Sequence, residues 1–320
     1  MKKKTVKISE KVGFKPGAEK YPLIILVATS SPCNARCPHC PCTFMPAIRD
    51  TKDLFIKLEH FKKLVDESVK FGASIRMSGY GEPLLHPDFF EMIEYGKSKN
   101  AKLSLITNGS LLDKKKIERL IALDIDSIEV SVDSHKKEIY KNIRVGLDFD
   151  KVKENIKNLV KTRDRLKKKT AIMVSIINQP SCNPDVSGAE KYWNKIVDKV
   201  MVRKYVTWGI LPEKDCEGFC APEDRQPCPY PFERLMVDPG GYFRLCPYDD
   251  QKLIPPFGHL KKNTVKEVWL GKRFNKIREG HAKRLFGKVE LCNKCTDFAS
   301  RSWDYNYAKA LKDARKKMEK

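Results

Sequence analysis

The stretch Cys33-Asn-Ala-Arg-Cys37-Pro-His-Cys40 holds three cysteines at spacing C-x3-C-x2-C, directly behind the apolar run Leu23 to Ala28. A cubane iron-sulfur cluster normally takes four cysteines, so three thiolates on one short loop leave one iron open to an exogenous ligand, and chemistry can occur there. Zinc is the competing use. A closed structural zinc needs four ligands, which His39 or Cys42 can complete. A disulfide framework fits less well, because the eleven cysteines are odd in number, the chain of 320 residues is not small, and no secretory signal is visible.

The rest of the composition narrows the field. Lysine and arginine outnumber aspartate and glutamate by 63 to 41, a formal charge of +22, with lysines concentrated at Lys114 to Lys116, Lys167 to Lys169 and in the C-terminal Ala310 to Lys320 region. Such an excess biases encounters towards acidic proteins, phosphorylated substrates or nucleic acid. No helix-turn-helix, aromatic platform or zinc-finger spacing accompanies the charge, so an acidic electron-donor protein is a better partner for it than nucleic acid. No apolar run approaches the roughly 20 residues needed to cross a bilayer. The basic start Met1-Lys-Lys-Lys is not followed by a segment of signal-peptide type, which reads as a cytoplasmic protein whose residues 1–21 form an extension.

The elements that must position the trio alternate strand with helix. Apolar, β-branched segments fall at Leu23 to Ala28, Ser74 to Ser78, Lys102 to Thr107, Asp126 to Val132, Thr170 to Ile177 and Val200 to Val206. Helical stripes lie between them, such as Leu58, Phe61, Leu64, Val65 and Val69 ending at Gly72, or Val152, Ile156, Leu159 and Val160. Six βα units predict an α/β fold with a parallel, right-handed wound sheet, closed or partly closed into a barrel. Functional groups then belong in the loops at the carboxyl ends of the strands. The trio follows the first strand. After the second comes Ser78-Gly79-Tyr80-Gly81-Glu82, after the third Asn108-Gly109, at the fourth Ser131-Val-Asp133, and beyond it Tyr140-Lys-Asn-Ile-Arg144. Gly79 and Gly81 permit close backbone approach, and Glu82 offers a carboxylate to an ammonium group. Each alone has a structural explanation as a turn, a cap or a surface arginine, but together they follow one three-cysteine loop.

Taken together these residues resemble the radical S-adenosylmethionine (radical SAM) superfamily, whose signature is C-x3-C-x2-C after the first strand of a partial (β/α)6 TIM-like barrel. The resemblance covers roughly Pro22 to Tyr205. It implies a [4Fe-4S] cluster on Cys33, Cys37 and Cys40, with the amino and carboxylate groups of S-adenosyl-L-methionine on the fourth iron. It also implies His39 near the adenine, Gly79, Gly81 and Glu82 at the methionine ammonium, Asn108, Ser131 and Asp133 near the ribose, and Arg144 on the methionine carboxylate. A guanidinium fork suits that last role. The reaction implied is one-electron reduction of the cluster, cleavage to methionine and a 5'-deoxyadenosyl radical, and hydrogen abstraction from an unactivated C–H bond. Reduced flavodoxin or ferredoxin is the implied donor.

A second set of cysteines lies downstream: Cys216, Cys220, Cys228, Cys246, Cys292 and Cys295. Around them stand Asp238-Pro-Gly-Gly-Tyr-Phe-Arg-Leu-Cys246, Phe257-Gly-His-Leu260 and Val265-Lys-Glu-Val-Trp269. This order resembles the SPASM or shortened "twitch" extension of radical SAM enzymes: a cysteine, a β-hairpin, a second cysteine, a Gly-Asn-Ile/Leu element, a helix with tryptophan and a final C-x2-C. Here His259 replaces the asparagine. The resemblance implies one auxiliary [4Fe-4S] cluster on Cys228, Cys246, Cys292 and Cys295, while a four-thiolate zinc site remains open.

The expected organisation is an extension at 1–21, a barrel at 22–210, a SPASM/twitch domain at 211–300 with a hairpin and a helix, and a basic helix at 301–320 that packs back with Trp303, Tyr307 and Leu311 on one side. Two outcomes follow from the resemblance. An auxiliary cluster that accepts the second electron gives net oxidation of a small, carbohydrate-like or peptide substrate. A thiol that returns hydrogen gives epimerisation or peptide maturation, with Cys216 and Cys220 as candidate donors. Cys42 and Cys182 read as ordinary cysteines.

Overall fold

Apolar runs bounded by turn residues form eight strands in the computed structural model, which describes residues 14–44, 52–179, 183–207, 225–251, 254–288, 290–293, 295 and 307–318. They are β1 (Ile24–Val27), β2 (Ser74–Met77), β3 (Lys102–Thr107), β4 (Ser127–Ser131), β5 (Ala171–Asn178), β6 (Lys199–Lys204), β7 (Arg234–Val237) and β8 (Phe243–Arg244). The first six are the strands expected from the sequence, with small shifts at their ends. They pair in parallel in chain order, the partial barrel that six βα units predict.

The other edge of β1 is where the sheet differs from a simple six-strand unit. There β7 adds in parallel, Ile24 opposite Arg234 and Val27 opposite Val237, and β8 runs antiparallel to β7. The turn between β7 and β8 is Asp238-Pro-Gly-Gly, with Gly241 at φ +84° and its N–H donating to the Asp238 carbonyl. One sheet therefore runs through the barrel and the hairpin, and the first strand lies between them.

Period-two alternation sorts the side chains of each strand. Ile25, Val27, Ile75, Met77, Leu103, Leu105, Ile128, Val130, Ile172 and Val174 join the helices in the main core. The opposite parity faces the concave side, where Leu26, Ala28 and Met236 form one small cluster and Ala171, Met173 and Ala314 another. The same parity puts Arg76 and Glu129 on the concave side, and Arg203 reaches the same carboxylate from β6. Arg76 Nη2 lies 2.5 Å from Glu129 Oε2 and Arg203 Nη2 2.7 Å from Oε1.

The helices behave as amphipathic stripes should. The helix Leu58–Phe71 buries Phe61, Leu64 and Val65 and stops at Gly72, a left-handed C-cap at φ +67°. Val69, expected on its buried stripe, is exposed because Ser68 takes the core position in the last turn. Part of the N-terminal extension is built into the fold: Ala18 and Tyr21 are buried, and the Ala18 carbonyl accepts from Trp269 Nε1 at 2.7 Å. The C-terminal helix Tyr307–Met318 does pack back, but through Ala310, Leu311 and Ala314 against β5, with Arg315 on Asp126 at 3.1 Å. Trp303 lies outside the described residues.

Candidate functional site

All the residues singled out at the ends of strands β1 to β4 meet at one edge of the sheet, because parallel strands in register bring every βα loop to the same side. The loop with Cys33, Cys37 and Cys40 is held from three directions. Cys40 N–H donates to the Cys37 carbonyl at 3.0 Å and Thr43 Oγ1 to the same oxygen at 2.9 Å, which makes the C-x2-C turn. Arg36 N–H donates to the Val145 carbonyl at 2.9 Å. From β2, Gly81 N–H donates to the Ser30 carbonyl at 2.8 Å and Glu82 N–H to the Pro32 carbonyl at 2.9 Å.

That last approach explains both glycines. A Cβ on Gly81 would lie 2.7 Å from the Ser30 carbonyl oxygen, and one on Gly79 would lie 2.5 Å from Ala28 Cβ. Gly79 and Gly81 bring two backbones together at the base of the cysteine loop.

Glu82 is 2% exposed. Its carboxylate accepts from Thr107 Oγ1 at 2.6 Å, from Asn108 N–H at 2.8 Å and from Leu84 N–H at 3.3 Å. Burial pushes its pKa up against the pull of those donors. Glu82 thus ties the β2 loop to the β3 loop. Asn108 continues the tie: its Nδ2 donates to Asn34 Oδ1 at 2.9 Å, while Ser110 Oγ donates to Asn108 Oδ1 at 2.7 Å and Asn34 Nδ2 to Ser110 Oγ at 2.8 Å. Asn34 and Ser110 were not singled out by sequence reasoning. Asn34 stands between the first two cysteines, and that position was the available signal.

Asp133 is the hub of the other wall. It adopts φ +64°, a left-handed backbone tolerated best by glycine, asparagine and aspartate. Its Oδ1 accepts from Ile177 N–H at 2.8 Å, and its Oδ2 sits 2.7 Å from Arg144 Nη2 and 3.8 Å from His39 Nε2. Arg144 also donates from Nη1 to Cys37 Sγ at 3.7 Å. Burial and the Arg144 charge hold His39 neutral, with a pKa of about 4, against the opposing pull of Asp133. Ser131 Oγ lies 3.4 Å from Ser175 Oγ, on the strand below. Cys42 is buried and its thiol donates to the Tyr80 carbonyl. Cys182, Cys216 and Cys220 lie outside the described residues.

The second constellation brings the four expected cysteines together from distant parts of the chain. Cys228, Cys246, Cys292 and Cys295 line one cavity with Tyr230, Leu245, His281 and Arg225. Burial raises the Cys246 and Cys292 thiols well above their ordinary range, and mutual repulsion among the four adds to it. In the first loop, burial pushes Cys33 up to about 11. Sulfurs that destabilise one another's charged forms suit a cationic centre, which removes that penalty on binding. Among the described residues no three histidine, cysteine or acidic side chains converge as closely as a single metal ion requires. The four cysteines instead share the lining of one cavity.

The elements that carry these cysteines are stapled by side chains sequence reasoning missed. Arg225 donates to the Cys292 carbonyl from Nη2 at 2.5 Å and stacks on Phe286 at 4.2 Å. Glu67, on a barrel helix, accepts from Val265 and Lys266 N–H at 2.9 Å each and so caps the helix Val265–Trp269. His259 acts as the missing asparagine would: its Nδ1 accepts from Lys261 N–H at 2.9 Å, two residues on, as in an Asx turn. Its Nε2 then donates to the Gly240 carbonyl at 2.9 Å, which an asparagine would not reach.

Two family models match the segments of the chain that carry the two sets of cysteines. The radical SAM superfamily model matches residues 28–179, and the SPASM iron-sulfur cluster-binding domain model matches residues 228–296. An AdoMet-dependent heme synthase from Methanosarcina barkeri (strain Fusaro / DSM 804) is 33% identical over 126 residues, a match that covers 38% of this chain and 34% of that protein. The chain therefore spans about a third of the length of that relative. Among solved structures, BtrN in complex with AdoMet and 2-DOIA superposes with a TM-score of 0.60 at 18% identity, over 90% of this chain and 98% of BtrN. Streptococcus suis SuiB bound to precursor peptide SuiA gives 0.68 at 14% identity, over 92% of this chain and 73% of SuiB. At these identities the two structures speak for the fold.

Proposed function

Because the chain belongs to the radical SAM superfamily and carries a SPASM iron-sulfur domain, we propose that it oxidises a small, carbohydrate-like or peptide substrate, with one [4Fe-4S] cluster on Cys33, Cys37 and Cys40 and one auxiliary [4Fe-4S] cluster on Cys228, Cys246, Cys292 and Cys295. When bound, the first cluster and S-adenosyl-L-methionine supply a 5'-deoxyadenosyl radical able to take hydrogen from an unactivated C–H bond. The observation that carries the oxidative reading is the convergence of four cysteines, Cys228, Cys246, Cys292 and Cys295, on one cavity. Four protein ligands close that site to substrate and leave electron transfer as its use, so the substrate can give up a second electron there.

The chain's own residues supply the rest. Arg144, which pairs with Asp133 and stands beside Cys37, would hold the methionine carboxylate. Asn108, Ser131 and Asp133 would hold the ribose, and His39, held neutral, would pack by the adenine. Glu82 would meet the ammonium with the lone pairs its three donors leave, and its larger contribution is to hold the β2 and β3 loops in register. The basic surface favours an acidic flavodoxin or ferredoxin as electron donor. Among the described residues no helix is long and apolar enough to cross a membrane.

The glycine contacts give a direct check on this assignment. Gly81→Ala is expected to remove about half of the bound iron and nearly all 5'-deoxyadenosine formation, because its Cβ drives into two carbonyls of the cysteine loop. Gly280→Ala, whose Cβ would sit 3.6 Å from the Leu285 carbonyl, should change neither. Iron analysis of the two variants side by side reads the difference.

The reaction type is tested in D2O, with the reduced enzyme given a small-metabolite fraction and a peptide fraction separately. Mass spectrometry should find a product two hydrogens lighter, formed in step with 5'-deoxyadenosine and without solvent deuterium. A product of unchanged composition that gains one deuterium would instead show hydrogen return from an exchangeable thiol. Epimerisation by Cys216 or Cys220 would then replace oxidation.

A further inference from the structure

We infer that His281 tunes the auxiliary cluster: its Nε2–H donates a hydrogen bond to the Cys292 sulfur and raises the reduction potential of the group those sulfurs hold. This rests on the auxiliary-cluster reading above. It follows from the histidine's two ring contacts. Cys228 N–H points at His281 Nδ1 at 3.2 Å. A backbone amide can only donate, so Nδ1 carries the lone pair and the ring's single proton is on Nε2. Nε2 lies 3.4 Å from Cys292 Sγ, within reach of an N–H···S hydrogen bond.

The surroundings fix this arrangement. His281 is 1% exposed, near the end of the helix Lys272–Ala282, so no bulk water competes for either nitrogen. The Phe286 ring meets the imidazole edge-on at 5.4 Å, and the Arg225 guanidinium stacks on Phe286. One imidazole thus joins the backbone of the first cysteine to the sulfur of the third. The bond strengthens as the sulfur becomes more electron-rich, which favours the reduced state. A higher potential makes the site a better acceptor of the electron that oxidation of substrate must release.

Three forms of the protein test this in a Cys33/Cys37/Cys40→Ala background, which leaves iron only at the auxiliary site and removes any signal from His39 beside the first loop. His281→Leu deletes the donor, whereas His281→Gln puts an amide N–H near the position of Nε2. EPR-monitored redox titration should give a lower potential for the leucine variant and one close to the parent for the glutamine variant. With ¹⁵N-histidine incorporated, pulsed EPR of the reduced parent should show a weak nitrogen coupling that the glutamine variant lacks. Equal potentials in all three, or no histidine coupling in the parent, overturns the inference. If His281→Leu takes up no iron, the labelled parent and the glutamine variant still decide. About four irons with unchanged potentials removes only the role of His281, whereas a parent without iron brings down the cluster reading itself.

Discussion

Replacing Cys33, Cys37 and Cys40 together with alanine is expected to cut 5'-deoxyadenosine formation to background and lower the iron content from about eight to about four per chain. The loss should stop there because the two thiol sets rest on different supports. The trio depends on the β2 loop through Gly81 and Glu82 and on Asn34, Asn108 and Ser110. The other four depend on Arg225 and His281. These supports lie in different parts of the fold, so their losses should be additive. Anaerobic iron and sulfide analysis with EPR, beside an assay for 5'-deoxyadenosine, reads both quantities. About four irons with zinc in the wild type would keep the radical chemistry and make the second site structural. No iron in the wild type would sink the reading as a whole.

The largest effect on stability is expected at Glu129. This carboxylate is 2% exposed on the concave side of the sheet and serves two guanidinium groups, Arg76 and Arg203. Burial alone would raise its pKa, but Arg203 and Arg76 outweigh that and hold it at about 2. Glu129→Gln leaves two like charges facing each other without their counter-ion, and breaking a buried pair in this way costs about 3–5 kcal/mol. Arg203 is partly exposed, so the lower end of that range applies to its share. A depressed carboxyl pKa contributes stability above the ordinary value of 4.5 and loses it as pH falls towards 2. Urea melts should therefore show a large gap between wild type and variant at pH 7 that narrows as the pH falls below about 4.5. A difference of less than about 0.5 kcal/mol at pH 7 would rule out a structural role for the network.

Much of this protein was legible before folding because the signals are local. A C-x3-C-x2-C spacing, a Gly-x-Gly-Glu after a β-branched run and an Asp-Pro-Gly-Gly turn are each set within a few residues, and the period of apolar positions separates strand from helix. From these the parallel order of the six barrel strands and the end at which functional loops gather follow directly. Even the departure at His259 kept its element, since Nδ1 stands where an asparagine oxygen would.

Other features required the chain to close on itself. The sequence could not say that β7 would pair with β1, because that edge exists only once the barrel has formed. Asp133, Arg144 and His39 were separate candidates in the sequence, and only packing made them one charged group beside Cys37. Arg225, Glu129 and His281 are ordinary polar residues until burial removes their water and leaves them to the partners that tertiary structure brings within reach. The sequence by itself determined which cysteines are spaced as a set and on which loops they lie. The tertiary structure decided which charges and hydrogen bonds surround them, because those depend on atoms far apart in the chain and on water excluded only by the folded core.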